Sequence, residues 1–326
     1  MARRVLRIAV PLVATVAVAL APLLISDTFL LKVLTYVGIN VLVVVGLALL
    51  FGHAGQVSLG HAAFVGLGAY TCAFLTVHLH VPWVLAFVCA GAVAALGGLL
   101  LALPSLKLSG HYLAMATLAF GELATLAFRE GAAVTGGVNG MTGIPFPSIG
   151  PVELRSAAAI YWLVWAIAAV AVVVAANLIG LRPGRAMRAL HGSELGAEAS
   201  GVDVVGVKVR VFVLSAAMAG LAGALYASSV GFISPSLYTL QASVGFLAMA
   251  VVGGTGSLAG PMVAAALLTL VQYLDAFIPG LPRATSELIQ TYEPDVYGLA
   301  IVLVVLFAPG GIGALWRRRR GLGEAR

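Results

Sequence analysis

Charge is what this chain lacks most. Only 9% of its 326 residues are Asp, Glu, Lys or Arg, against about 25% in a soluble domain. Hydrophobic residues make up 61%, and the mean hydropathy is +1.08. The apolar runs are too long and too frequent for the buried helices of a soluble core, which excludes an ordinary soluble fold. Cysteine is nearly absent. Cys72 and Cys89 both sit in apolar stretches, with no C-x-x-C and no histidine cluster at metal spacing, so they read as small core residues and say nothing of redox compartment. A phosphate-binding G-x-x-x-x-G-K-S/T sequence is missing, which excludes nucleotide hydrolysis by the usual P-loop route. No nucleophile lies in a recognisable motif, and no carboxylate pair falls in one membrane region. The net charge of +6 does not point to nucleic acid, because the basic residues lie at the ends of apolar segments rather than in a patch interleaved with aromatics.

What is present is a series of membrane-length apolar runs. A hydrocarbon core about 30 Å thick takes roughly 20 apolar residues per helix. Ten segments are expected to span: 8–25, 29–50, 61–79, 83–104, 109–128, 158–180, 208–230, 238–252, 257–277 and 296–314. The fold class is therefore all-α, a polytopic membrane helix bundle. With the N-terminus inside, 14 of the 18 Lys and Arg fall on the cytoplasmic side, leaving Lys32, Arg129, Arg155 and Arg283 outside. The positive-inside rule favours that orientation, with both termini cytoplasmic. "MARRVLRIAVPLVATVAVALA" has the shape of a secretory signal ending at Ala19-Leu20-Ala21. The apolar run continues to Ile25 and a second span follows at once, so an uncleaved first helix is expected; cleavage would leave nine. The organisation expected is one transmembrane domain over 1–326, with a cytoplasmic loop at 181–207 and a basic tail at 315–326.

"FGHAGQVSLGHAAFVGLGAY", residues 51–70, is too polar and too rich in glycine for a plain span. Gly52, Gly55 and Gly60 let the backbone turn, while Gln56, Ser58, His53 and His61 offer groups to satisfy a freed backbone. A broken helix beside a solute pathway and a tight hairpin between packed helices both fit this composition. "VVGGTGSLAG", residues 251–260, repeats the pattern in the second half, with Ser257-Leu258 echoing Ser58-Leu59 and glycines at Gly253 and Gly254. Interrupted segments in corresponding halves point to a transport site at a repeat interface; a short match by chance is the alternative.

Glu122 is the only carboxylate well inside a span. Such a charge costs on the order of 2.5–3.5 kcal/mol on insertion scales, so it is expected to face the bundle interior or water, with Thr125 on the same helical face as a hydrogen-bond partner. Ala216, Gly220 and Ala224, and likewise Ala219, Gly223 and Ala227, recur at four-residue intervals, the spacing that lets helix backbones approach closely in lipid. "TGGVNGMTGIPFP", residues 135–147, is neutral and glycine-rich, suited to a mobile outer surface or to an ordinary flexible loop.

"GRAMRALHGSELGAEASGVDV", residues 184–204, gathers Arg185, Arg188, Glu194, Glu198 and Asp203 in an otherwise nearly uncharged chain. A helix over 186–199 would set Met187, Leu190, Glu194 and Glu198 along one face, with Arg185 and Arg188 elsewhere. Gly192 and Gly196 would each cost it about 1 kcal/mol. Such a helix becomes sensible when docked against something that covers Met187 and Leu190 and offers cations to the carboxylates. A solvated loop whose arginines reach to lipid headgroups is the plainer possibility.

The run Glu194, Ala197, Glu198, Ala199, Gly201 is similar to the EAA-type coupling loop of ABC importer permeases, although Leu195 and Gly196 intervene after the first Glu. With "GHAGQVSLGHAAFVGLGAY" at 52–70, "KLSGHYLAMATLAFGEL" at 107–123, "SAAMAGLAGALYA" at 215–227 and "YGLAIVLVVLFAPGGIGAL" at 297–315, the chain resembles the branched-chain amino acid ABC transporter permeases of the LivM type. That resemblance implies a second, LivH-like permease subunit, two ABC ATPase subunits that use ATP and Mg, and a periplasmic or extracellular amino-acid-binding protein. It implies no cofactor and no enzymatic activity in this chain. Arg185, Met187, Leu190, Glu194, Glu198 and Gly201 would then belong to the ATPase-coupling loop, and Gly55, Gln56, Ser58, His61, Glu122, Gly253, Gly254 and Ser257 to a pathway or gate. Two other functions stay open: a secondary transporter in which Glu122 carries a coupling proton, and an ABC permease for urea or short amides.

Overall fold

The computed structural model describes residues 27–104 and 110–273, together with residues 21–23, 298–299, 302–303, 306 and 311. Most of the expected spans at 8–25 and 296–314 and the basic tail at 315–326 lie outside the described residues, as do Lys107 and Arg283. Among the described residues, six helices are long and apolar enough to cross a membrane, and two shorter apolar helices accompany them.

Helix α1, Thr28–Leu47, starts where the Asp27 carboxylate accepts from the Phe29 N–H at 2.8 Å. Its run of Val and Leu is apolar all round, so it is buried nearly along its whole length. It continues as a π-helical turn, Ala48–His53. Helix α2, His61–Val77, and α3, Trp83–Ala102, follow. Helix α4 is His111–Glu130, and a short turn of helix, α5, Ala132–Thr135, succeeds it. Helix α6, Ala157–Gly180, begins at Ser156, whose hydroxyl accepts from the Ala159 N–H. Two polar helices, α7 (Arg182–Gly192) and α8 (Glu194–Ala199), lead into α9, Val204–Val230. Asp203 caps α9 by accepting from the Gly206 N–H at 2.9 Å. Helices α10, Leu240–Gly253, and α11, Ala259–Gln272, complete the described bundle.

Helix α9 is the centre, packed along α2 and α3 and, on another side, along α1; α1 in turn holds α6 and α11. The four-residue repeats of small residues explain this. A Cβ at Gly68 would strike the Gly220 carbonyl, and a Cβ at Gly220 would strike Ala94 and approach the Ala90 carbonyl at 2.9 Å. Ala216, Ala219, Ala224 and Ala227 are wholly buried. The neighbours these residues admit are therefore α2 and α3 of this same chain, brought to near backbone contact.

The outer segment after α4 departs from a free loop. Met141 pairs with Ile233 and Thr142 with Phe232 in a two-residue antiparallel ladder, β1 with β4 (Phe232–Ile233). Met141 and Ile144 are buried. A second small hairpin joins β2, Ser148–Ile149, to β3, Val152–Glu153. Pairs this short leave no period-two pattern, which is why composition alone suggested mobility.

Candidate functional site

The polypeptide leaves helical geometry at Ala54 and resumes it at His61. Gly55 has φ +69°, a left-handed conformation that a side chain would strain. The break is no surface turn. The imidazole of His61, itself fully buried, lies 2.8 Å through Nε2 from Ser215 Oγ, near the middle of α9, and 3.0 Å through Nδ1 from Ser58 Oγ. One ring nitrogen donates and the other accepts. Backbone donors freed by the break are met from other helices: the Leu59 N–H donates to Thr117 Oγ1 of α4 at 2.9 Å, and the Ala62 N–H to Ser243 Oγ of α10 at 3.0 Å. Non-helical backbone at membrane depth is tolerated on just this condition.

The partners differ in part from those expected. Ser58 and His61 bond each other, and His61 also Ser215, rather than the freed backbone groups, and His53 Nδ1 lies 3.0 Å from the Ala48 carbonyl within its own turn. Gln56 is buried and its Nε2 has no hydrogen-bond partner among the described residues. Thr117, Ser215 and Ser243 were not singled out from sequence. Each is a single hydroxyl flanked by apolar neighbours in its helix, a signal shared with residues such as Ser229 that merely bond their own preceding turn.

The second break lies beside the first. Gly254 and Gly256 have φ +88° and +79°, and a Cβ at Gly52 would sit 3.8 Å from Thr255 Cα. Gly253 is buried against Pro261. Ser257 accepts a long 3.4 Å bond from the Gly260 N–H at the start of α11. The two glycine-rich segments are thus neighbours at one end of the bundle.

The polar segment stands at that same end. It is an elbow of two helices rather than one helix over 186–199, because Ser193 ends α7 and caps α8, accepting from the Gly196 N–H at 3.1 Å. Met187 and Leu190 are buried by this chain itself. Glu194 also finds its cation within the chain, at 2.7 Å from Lys208 Nζ; the lysine side chain is 8% exposed and the glutamate 43%. Arg188 donates to the Ile179 carbonyl at the end of α6. Arg185, Leu195, Glu198 and Gly201 are exposed. His191 packs on Gly55, whose Cβ would come within 2.9 Å of Nδ1. The elbow therefore touches the break directly, and residues 55–60 run from it to the His61 cluster beside the middle of α9.

Of the two surroundings expected for Glu122, the bundle interior or water, the described helices do not supply the first. Thr125 is buried, with Oγ1 2.9 Å from the Gly121 carbonyl and 3.0 Å from that of Tyr238. Glu122 is exposed and points away from the described helices. Positions three apart on a helix differ by about 60° in direction, enough to divide a buried face from an outer one.

A cleft of about 370 Å³, unforeseen from sequence, opens between α1, α9 and α10. Tyr36, Asn40, Tyr226 and Gln241 line it beside Phe246 and Met249. Asn40, like Gln241 and Gln272 a polar residue within an apolar run, is a sequence signal for it; its Nδ2 donates to Thr269 Oγ1 at 2.8 Å.

A helical bundle with two adjoining breaks, one of them tied to the middle of α9 through His61, and a polar elbow seated on it has the build of a membrane transport subunit. The chain belongs to the family of permease components of branched-chain amino acid transport systems, whose model matches residues 29–308. It is 30% identical to the high-affinity branched-chain amino acid transport permease protein LivM of Escherichia coli K12, over 88% of this chain and 69% of that one. The LivM of Salmonella typhimurium LT2 is 29% identical over the same shares. LivH of Escherichia coli K12 is 32% identical over 47% of this chain and 46% of its own. No solved structure matches. The chain is accordingly the permease component of a branched-chain amino acid ABC transport system, a multi-pass protein of the inner membrane, a non-catalytic subunit that carries no cofactor.

Proposed function

We propose that this chain carries leucine, isoleucine and valine inward by alternating access, driven by two separate ATPase subunits, alongside a LivH-like permease and fed by an external binding protein. The observation that carries the proposal is the seat of the Arg182–Ala199 elbow. It is joined to the central helix by Lys208–Glu194 and rests on Gly55 through His191. A push on its exposed Arg185, Leu195, Glu198 and Gly201 would reach the break at 54–60 without crossing a flexible link. The two breaks, with Gln56, Ser58, His61, Gly253, Gly254 and Ser257, are then the moving gate. The described residues that line the cleft between α1, α9 and α10 offer amides, hydroxyls and rings but no Asp, Glu, Lys, Arg or His, which suits a solute whose own two charges balance and whose side chain is aliphatic.

The test is reconstitution in lipid with the second permease, the ATPases and the binding protein. ATP hydrolysis stimulated by leucine-loaded binding protein, and lost with Leu195→Arg on the exposed face of the elbow, supports the proposal. Stimulation by urea-loaded or amide-loaded binding protein alone would change the cargo and keep the mechanism. Uptake that follows a proton gradient without any associated ATPase would overturn it.

A further inference from the structure

Helix α4 presents to the outside a stripe unlike the other outward faces. Tyr112, Met115, Ala119, Glu122, Leu126 and Arg129 follow at three- and four-residue steps, and all six are exposed. The opposite face of the same helix is buried against this chain through Thr117, Thr125 and Phe128. By contrast, α3 and α6 expose branched aliphatics such as Leu96 and Val173, the side chains that lipid tails accept. On α4 a carboxylate sits close to mid-length, where lipid does not solvate it. Ala119, one turn before it, leaves room for a neighbouring backbone.

We infer that the Tyr112–Arg129 stripe of α4 is the surface on which the second permease subunit seats, where a side-chain hydrogen-bond donor of that subunit meets Glu122. This rests on the two-permease proposal above. The occupant follows from the chemistry: a carboxylate at membrane depth needs a donor, and a protein helix supplies one there whereas a lipid tail does not. The kinship to both LivM and LivH adds that the partner has a related fold. Two related folds about a local two-fold axis meet through equivalent patches, which sets α4 against its counterpart.

The test uses the whole complex, purified through a tag on an ATPase subunit, with a photo-activated benzoylphenylalanine replacing Ala119 or Leu126 in this chain and Leu96 or Val173 as outward controls. Illumination is expected to join positions 119 and 126 to the second permease and to leave 96 and 173 unjoined. Glu122→Leu is expected to reduce recovery of the second permease and Glu122→Gln, which can still hydrogen-bond, to retain it. If the second permease is present but only 96 or 173 reacts with it, the inference falls and the importer proposal stands. If the adduct contains two copies of this chain, the occupant is a second copy and the inference is wrong. If no second permease is recovered with the unmodified chain, the two-permease proposal fails and takes the inference with it.

Discussion

Lys208 Nζ lies 2.7 Å from the carboxylate of Glu194, and the pair ties the polar elbow to the first turns of the central helix. The two ends of this pair are unequal. Lysine is almost wholly buried, while glutamate is nearly half exposed.

That asymmetry gives a direction. Glu194→Gln leaves a buried ammonium without its counter-charge and is expected to cost about 1–3 kcal/mol, discounted for the exposed side of the pair. Lys208→Met leaves a carboxylate that water reaches and is expected to cost less. Thermal unfolding of the solubilised protein checks the order. Equal losses would overturn the predicted asymmetry, and negligible losses from both variants would show that the pair is screened and does not hold the elbow.

Ser215→Ala removes the partner of His61 Nε2 in the middle of the bundle. A buried ring nitrogen left unsatisfied costs about 1–3 kcal/mol, and no water is expected at so closely packed a position. Ser229→Ala, whose hydroxyl among the described residues bonds the Leu225 carbonyl one turn back in its own helix, serves as the control and is expected to change little. The readout is the midpoint of heat-induced aggregation followed by size exclusion.

Much of this architecture was legible from the residues, and the limits have a physical reason. Apolar runs marked the helices because lipid demands them. Glycines at 52, 55 and 60 marked the break because a backbone cannot leave a helix there so readily with side chains. Small residues at four-residue spacing marked α9 as closely packed. What stayed hidden depends on direction and distance. Glu122 lies in a helix with apolar residues all round, so nothing in its period says which side faces out. In the sequence Lys208 stands at the edge of an apolar run, and only the fold turns it toward a glutamate 14 residues earlier. Thr117 and Ser243 serve a backbone that is remote from both in sequence.

Close packing about α9 predicts a contrast between glycines. Gly220→Ala places a Cβ against Ala94 and the Ala90 carbonyl, so α3 must move away; overpacking of this kind costs about 1–3 kcal/mol or more. Gly180, at the end of α6, has nothing within 4 Å of a Cβ. Gly180→Ala is expected to be tolerated. Yields of folded protein in detergent separate the two, and equal yields would mean that α9 and α3 part easily.

The contact of His191 with Gly55 makes the sharpest demand on the proposed mechanism. Gly55→Ala introduces a side chain at φ +69°, a conformation that costs about 1–2 kcal/mol for a residue with a Cβ, and that Cβ would press on His191. Both effects fall on the joint between elbow and break and on neither the exposed docking face nor the buried core. Assembly with the ATPases should therefore survive, while leucine uptake per ATP hydrolysed should fall. Adding His191→Ala removes the steric part but leaves the strained backbone, so it should restore uptake only in part. Hydrolysis and uptake measured together in proteoliposomes give the ratio. A Gly55→Ala complex that transports with the parent ratio would show that motion passes from elbow to gate by another route, through Lys208 and the central helix rather than through Gly55.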